Sequence, residues 1–138
     1  LVTGEVKEEQ MDDGACDFPR IDDRRTGLKS DFGYSMQIET DVDSLTFGNH
    51  LYKFDLEKNK RIDHNLGKNI VGGEPAFAPN PDKSSEDEGW VLSIVYDKDL
   101  DKSKLVIIDT KNFDKKAIAE IILPERVPFG AHGNWLSN

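Results

Sequence analysis

A histidine among small residues is the part of the sequence best suited to binding a ligand. His132 lies in the segment from Pro128 to Trp135, next to Gly130, Ala131 and Gly133. Glycine permits unusual backbone dihedrals and lets the chain pass close to a bound group, so we expect this imidazole in a tight, defined corner. One histidine cannot hold a metal alone. The local pattern therefore leaves two interpretations open, a metal ligand or a structural histidine.

The other two histidines and the single cysteine show no pattern of a catalytic or metal site. His50 and His64 have no second histidine at HxH or HxxxH spacing, and we interpret both as solvent-exposed strand or turn residues. Cys16 has no histidine near it in the sequence and is expected to be a small buried residue. Because one cysteine cannot form an intrachain disulfide, a reducing compartment fits best.

Two groups of carboxylates predict opposite surroundings. Glu74 follows Gly72-Gly73 and leads into the apolar stretch Pro75 to Phe77, where an unpaired charge would be costly, so we expect it to have a partner. The run Glu86-Asp87-Glu88 is expected to face water, since three buried acids would repel one another. This run also lacks the alternating ligand spacing of a calcium loop.

Asp17 is a third carboxylate at the edge of an apolar segment, Phe18-Pro19. Several charges follow it closely, and a loop laced with salt bridges is as compatible with the pattern as a role in a site. The members of that loop would be Arg20, Arg24 and Arg25 with Asp17, Asp22 and Asp23.

Alternating apolar residues predict an all-β chain that positions these groups. Tyr34 to Ile38 alternates as a strand, and two hairpins follow. Ile121-Ile122 and the following Pro124 favour a strand over a helix for residues 117–123. Successive antiparallel hairpins are typical of a propeller, a sandwich or a barrel, and no repeat chooses among them. The two hairpins are Leu51–Leu56 with Arg61–Leu66, and Trp90–Tyr96 with Leu105–Ile108.

Composition excludes some classes of function. The 138 residues carry a formal net charge of −9, and their lysines and arginines are interleaved with acids, which argues against nucleic acid as a partner. No apolar run is long enough to span a membrane. We expect a cytoplasmic protein, with peripheral membrane contact through upstream segments left open. The start at Leu1-Val2, without an initiator Met and in a strand-like stretch, indicates a piece of a longer chain.

Five segments in the same order resemble motifs of one family, the carotenoid cleavage oxygenases, which include apocarotenoid and lignostilbene dioxygenases. Together they cover nearly the whole chain, which makes the resemblance specific. The segments are Asp17–Asp22 (family Glu-Phe-Pro-Arg), Gly72–Pro79 (GEPxFxP), Glu86–Leu92 (EDDGxxL), Leu105–Asp109 (LVILD) and Leu123–Gly133 (LPxRVPxGFHG).

The resemblance implies the C-terminal blades of a seven-bladed β-propeller with Fe(II) on its axis. In this family four histidines hold the iron, and His132 matches the last of them. The family's glutamates that hydrogen-bond the ligand imidazoles match Glu74 and Asp17. Asp17 is one methylene shorter than the family's glutamate, and Ala131 stands where the family often has an aromatic residue. The other three histidines are expected upstream, because His50 and His64 do not match their motifs.

The implied activity is cleavage of a conjugated C=C bond of a carotenoid, apocarotenoid or stilbene by O2. Residues 1–138 would then be one segment of a single propeller domain, inactive without its upstream blades. Two alternatives stay open. The first is a non-catalytic propeller module that has lost its iron. The departures from the family pattern at Asp17 and Ala131 would be consistent with such a loss. The second is a calcium-dependent hydrolase, for which only Glu74 is a candidate ligand.

Overall fold

The chain forms two antiparallel sheets. The computed structural model describes residues 3–40, 46–130 and 132–137, and these contain nine strands and two short 3-10 helices but no α-helix. The all-β prediction is therefore confirmed. The start at Leu1-Val2 and the departure at Ala131 lie outside the described residues. No helix in the described part is long and apolar enough to cross a bilayer.

The first sheet is a four-stranded meander in which each strand pairs with the next along the chain. The predicted strand at Tyr34–Ile38 and the first predicted hairpin both belong to it. Asn59, at φ 48°, adopts the left-handed conformation that the tight turn after the third strand requires. The strands are β1 (Cys16–Arg20), β2 (Phe32–Glu39), β3 (Thr46–Asp55) and β4 (Lys60–Asn65).

The second sheet has five strands in the order β5-β7-β8-β9, and β6 also pairs with β7. The second predicted hairpin is its centre, with Trp90 opposite Asp109 and Asp97 opposite Lys102. The strand predicted within residues 117–123 is confirmed as its edge. The strands are β5 (Ile70–Val71), β6 (Ala76–Pro79), β7 (Gly89–Asp97), β8 (Lys102–Asp109) and β9 (Ala119–Ile122).

One hydrophobic cluster joins the two sheets. The ring of Tyr34 in β2 stacks on that of Phe77 in β6, with centroids 5.6 Å apart and an angle of 11° between the rings. Further residues of β2, β3, β7 and β8, together with Phe113 after β8, complete the cluster. Its buried members are Tyr34, Met36, Leu51, Phe77, Val91, Val95, Val106, Ile108 and Phe113.

The acidic run does not face water as predicted. Asp87 is buried and accepts hydrogen bonds from Tyr34 Oη at 3.0 Å and Lys53 Nζ at 2.6 Å. Glu86 accepts the backbone N–H groups of Asp31 and Phe32 at 2.9 and 3.0 Å. The prediction was wrong for Asp87 and Glu86, because donors far away along the chain bind both carboxylates. Glu88 is half-buried.

Two further exposure predictions were wrong. His64 is buried, and its Nδ1 lies 2.8 Å from the carbonyl oxygen of Phe113, which supplies the partner that a buried imidazole needs. Burial lowers the pKa of His64. Cys16 is exposed at the start of β1, the outer strand of the first sheet among the described residues. His50 is half-buried in β3, with Nδ1 3.1 Å from Gln37 Oε1.

Candidate metal centre

Glu74 lies in the link between β5 and β6, where the backbone passes close to two other strands. The N–H of Gly72 donates to the carbonyl of Gly48 at 2.8 Å, and Ser93 Oγ donates to the carbonyl of Gly73 at 2.9 Å. A Cβ atom at residue 73 would lie 2.1 Å from the carbonyl oxygen of Ile94. Glycine is therefore required at position 73. These backbone contacts fix the path of the link and so fix the position of the Glu74 carboxylate.

The partner predicted for Glu74 is His132. The side chain of Glu74 is 11% exposed, and its Oε1 lies 3.2 Å from His132 Nδ1. Its Oε2 accepts the backbone N–H of Gly133 at 2.5 Å. Both carboxylate oxygens are thus used to hold the segment that carries the histidine.

This contact sets the tautomer of the imidazole. An ionised carboxylate only accepts hydrogen bonds, so Nδ1 of His132 must carry the proton that it donates to Glu74. The lone pair of the neutral ring is then on Nε2. The arrangement is the usual one for a histidine that binds a metal through Nε2 while its other nitrogen is held by an acid.

The corner around His132 is more open than predicted. Its side chain is 74% exposed among the described residues, and no heavy atom lies within 4 Å of a Cβ built at Gly130. The close approach occurs on one side only, where Glu74 binds the imidazole and the next peptide group. The small residues therefore allow the segment to dock, but they do not enclose the ring.

Arg20, at the end of β1, also binds this segment. One terminal nitrogen, Nη2, donates to the carbonyl of Gly133 at 2.7 Å and to Asn134 Oδ1 at 2.9 Å. Its Nε lies 3.7 Å from Glu74 Oε1. Of the two interpretations left open for this loop, Arg20 therefore takes the role in the site, whereas Arg24 pairs with Asp22 at 2.6 Å.

A bulge in β1 turns Phe18 toward the same site. The register of β1 on β2 shifts between Asp17 and Arg20, and Phe18 has a φ of 56°, a strained value for an aromatic residue. Asp17 Oδ1 accepts the N–H of Phe18 at 2.7 Å and so supports this conformation. The Phe18 ring lies edge-on to that of His132, with centroids 5.5 Å apart.

Asp17 does not contact His132. Its side chain is exposed, and beyond the bond to Phe18 it has no hydrogen-bond or ion-pair partner among residues 3–40, 46–130 and 132–137. The contact that the resemblance implies between Asp17 and a ligand imidazole is therefore not made with His132, and a contact with another histidine stays a prediction.

Glu74 and His132 line a cavity of about 330 Å³ whose walls are mainly apolar. The first sheet contributes Phe18, Met36 and Phe47, and the second sheet contributes residues of β7 and β8. The C-terminal segment covers one side and is fixed there by Phe129, whose ring lies edge-on to that of Phe47 at 5.7 Å. Such a lining suits an apolar ligand with a few polar groups at one end.

The donor set of His132 fits one ligand of a metal centre. Its imidazole has an oriented Nδ1–H and leaves Nε2 as the available nitrogen. In the described part of the chain, no three histidine, cysteine, aspartate or glutamate side chains lie close enough together to hold an ion. A complete set of ligands would therefore need groups from outside the described residues.

Sequence reasoning missed two residues of this site, Arg20 and Phe18. Both lie in the segment from Asp17 to Asp22 that carries the family resemblance, which was the available signal. Their orientation depends on the bulge, and the alternation of apolar residues in a strand contains no information about a register shift.

Comparison with known proteins identifies the family. Residues 1–137 match the family described as retinal pigment epithelial membrane protein. A carotenoid cleavage oxygenase of Mycobacterium tuberculosis is 33% identical over 138 residues, which is 98% of this chain and 27% of that protein. The carotenoid 9,10(9',10')-cleavage dioxygenase 1 of Arabidopsis thaliana is 32% identical over 150 residues, which is 99% of this chain and 27% of that protein.

Solved structures agree with the sequence matches. The cobalt-substituted apocarotenoid oxygenase of Synechocystis superimposes with a TM-score of 0.88 and 28% identity, over 99% of this chain and 28% of that one. Its Trp149Ala mutant gives a TM-score of 0.86 over 96% of this chain. These neighbours are propeller-type oxygenases, so the predicted propeller blades are confirmed. The chain spans about a quarter of the length of these relatives. It belongs to the retinal pigment epithelial membrane protein family, which contains the carotenoid cleavage oxygenases.

Proposed function

We propose that this chain is the C-terminal segment of an iron(II)-dependent dioxygenase. The complete protein would cleave a conjugated C=C bond of a carotenoid, apocarotenoid or stilbene, and the two atoms of one O2 would become the oxygens of two carbonyl products. The observation that carries the proposal is the contact between Glu74 and His132 Nδ1 at the wall of an apolar cavity. The names of the relatives support a carotenoid or apocarotenoid substrate.

His132 would be one iron ligand and Glu74 the acid that orients it. When bound, Fe(II) supplies the position at which O2 is activated. By accepting the Nδ1–H, Glu74 keeps the neutral imidazole in the tautomer that presents Nε2, and its negative charge lies on the opposite side of the ring from that nitrogen. Asp17 would hold a second ligand imidazole in the same way, from another segment.

The cavity would hold the substrate beside this centre. Its walls carry phenylalanine, leucine and isoleucine side chains, which bury a polyene or stilbene without competing for hydrogen bonds. The proposed reaction requires no proton transfer by a side chain, so we assign no general acid or base. The role of this chain is to orient one ligand and to keep water from one side of the site.

Residues 1–138 would form part of one propeller domain rather than a domain of their own. The outer strand β9 leaves Ile121 and Ile122 about half exposed, and an unpaired edge of this kind invites a further strand. We therefore expect these residues alone to be inactive and to bind iron weakly, because one imidazole and its acids cannot replace a cage of four histidines.

The test is an aerobic assay of the complete protein with a carotenoid, an apocarotenoid and a stilbene, alongside measurement of its iron content. We expect about one iron per chain and carbonyl products that each contain one atom from 18O2. The products should disappear under anaerobic conditions or when iron is removed. A folded protein without iron and without products would instead support the non-catalytic propeller module.

A further inference from the structure

Arg20 is the residue at the candidate site whose contacts the proposed function leaves unused. Its side chain is 22% exposed, which is low for an arginine at the end of an edge strand. All of its polar contacts at the site go to Glu74, Gly133 and Asn134. Asp22 of the neighbouring loop is paired with Arg24 instead.

Glu74 and Arg20 together bind the segment that carries His132, the candidate metal ligand. Glu74 binds His132 through Oε1 and the N–H of Gly133 through Oε2. Arg20 binds the carbonyl of Gly133 and lies beside Glu74 Oε1. The peptide groups on the C-terminal side of His132 are therefore held by the carboxylate and by the guanidinium together.

We propose that Arg20 is a positioning residue, which acts on the metal centre through Glu74 and the peptide that follows His132. This inference rests on the proposed function, because it takes His132 as an iron ligand. Arg20 keeps Oε1 of Glu74 aligned with Nδ1, and its bonds to Gly133 and Asn134 fix the backbone that carries the imidazole. The bulge in β1, supported by Asp17, is what brings the guanidinium to this position.

An arginine suits this role better than a lysine. The planar guanidinium presents Nε toward one partner and Nη2 toward two others, in a fixed relative orientation. A lysine ammonium is a single point charge, and it would satisfy either Glu74 or the peptide group but not hold both in register. Arg20→Lys should therefore lose part of the effect although it keeps the charge.

A double-mutant cycle on the complete protein tests this role. The affinity for Fe(II), from competition with a chelator under anaerobic conditions, is measured for the parent, Arg20→Gln, Glu74→Gln and the double variant. We expect Arg20→Gln to weaken iron binding about tenfold, the lower end of the range for groups that orient a metal ligand. In the Glu74→Gln background the same substitution should change affinity less than about twofold, because coupled residues are not additive.

A spectrum separates positioning from a general loss of stability. In the cobalt-substituted protein, the d–d absorption bands report the ligand field, and Arg20→Gln should shift them. The matched control is Arg24→Gln, which removes an arginine of the same segment that is paired with Asp22, away from the site, and should leave bands and affinity unchanged. Arg20→Lys covers the case in which Arg20→Gln does not fold. It keeps the charge and should weaken binding less, about threefold, which is below the usual range for groups that orient a metal ligand.

Three results would overturn the role of Arg20 alone. These are parental affinity in Arg20→Gln or in Arg20→Lys, an equal loss with and without Glu74, and unshifted cobalt bands in both Arg20 variants. The proposed function would fail in a different way, if the parent bound no iron or if His132→Ala bound iron as the parent does. The two failures are therefore distinguishable within one set of proteins.

Discussion

Asp87 is buried and the side chain of Glu74 is 11% exposed, and these two carboxylates differ in the groups that bind them. Asp87 is bound by Tyr34 and Lys53, all three of them buried. Glu74 is bound on one side by His132, whose ring is 74% exposed at the wall of a cavity. In the first cluster, the carboxylate of Asp87 has its hydrogen-bond donors within the protein. The second holds an imidazole that still has a nitrogen to offer.

The difference shows why a buried charge alone does not indicate a functional site. Lys53 Nζ also donates to the carbonyl of Thr110 at 2.8 Å, so this cluster ties β3 to the region that follows β8. Burial and the nearby charge of Asp87 raise the pKa of Tyr34, which keeps it a hydrogen-bond donor at all ordinary pH values. A saturated cluster of this kind stabilises the fold, whereas the cluster at Glu74 is left open toward a ligand.

Removing His132, whose Nε2 is available to a metal, should have the largest effect on function. In the complete protein, His132→Ala should lose most of its iron and all detectable cleavage, because no other side chain described at the site offers an imidazole nitrogen. Iron content and product formation are the measurements. His50→Ala is the control, since His50 contacts Gln37 in β3 and should retain both properties. Normal iron and turnover in His132→Ala would refute the assignment.

Removing one member of the saturated cluster should instead damage stability. Lys53→Met leaves the buried carboxylate of Asp87 without its closest cation, and we expect a loss of about 3–5 kcal/mol in the free energy of unfolding. Lys58→Met is the matched control. Its pair with Asp55 is 69% exposed on the lysine side and should cost less than about 1 kcal/mol. Denaturant unfolding of the complete protein measures both, and equal losses would contradict the comparison.

Glu74→Gln sharpens the contrast, because it should reduce iron binding more than it reduces the stability of the fold. The amide keeps the shape of the side chain but can present its NH2 group to Nδ1, and it no longer fixes the tautomer. We expect iron affinity or cleavage to fall about 10- to 100-fold. Glu57→Gln, in the exposed turn after β3, is the control. Unchanged affinity and rate would make Glu74 a structural residue only.

His64 gives a pH-dependent test of the closed part of the molecule. Its pKa is lowered in the folded state by burial, so below the ordinary histidine pKa the unfolded chain binds more protons than the folded one. Stability should therefore fall as the pH drops from about 7 to 5, by at most about 1.4 kcal/mol per pH unit from this group. His64→Gln should flatten the dependence and His50→Gln should not. An unchanged slope in His64→Gln would show that other groups cause it.

Asp17→Asn should have the smallest effect. Its bond to the N–H of Phe18 can be kept by the amide oxygen, so the bulge should survive. The second carboxylate oxygen of Asp17 is the one that would orient a ligand imidazole. Because aspartate is one methylene shorter than the family's glutamate, that contact should be weak, and we expect iron affinity to fall about threefold, below the usual range for such groups. A loss as large as that in Glu74→Gln would show that Asp17 and Glu74 contribute equally.

The sequence was sufficient to predict the strands, because period-two alternation and polar turns depend on local physics. Both hairpins and the edge strand β9 were predicted in this way. The partner of Glu74 was also foreseeable, since burying a carboxylate requires one. The resemblance implied that this partner is a ligand imidazole, and the structure shows that it is His132.

What could not be predicted depends on contacts between distant strands. Asp87 was expected in water because only its acidic neighbours are visible in the sequence, while its donors Tyr34 and Lys53 are far away along the chain. The position of Arg20 depends on the bulge in β1, which alternation does not encode. His64 was misjudged for the same reason, because its partner is the carbonyl of Phe113.

The central claim is that His132 binds iron through Nε2 while Glu74 holds Nδ1. Crystals of the iron-loaded complete protein, measured on both sides of the iron absorption edge, test this directly. We predict an anomalous peak bonded to Nε2 of His132, with Glu74 still hydrogen-bonded to Nδ1. An iron peak away from His132, or one bonded to Nδ1 with Glu74 displaced, would contradict the account.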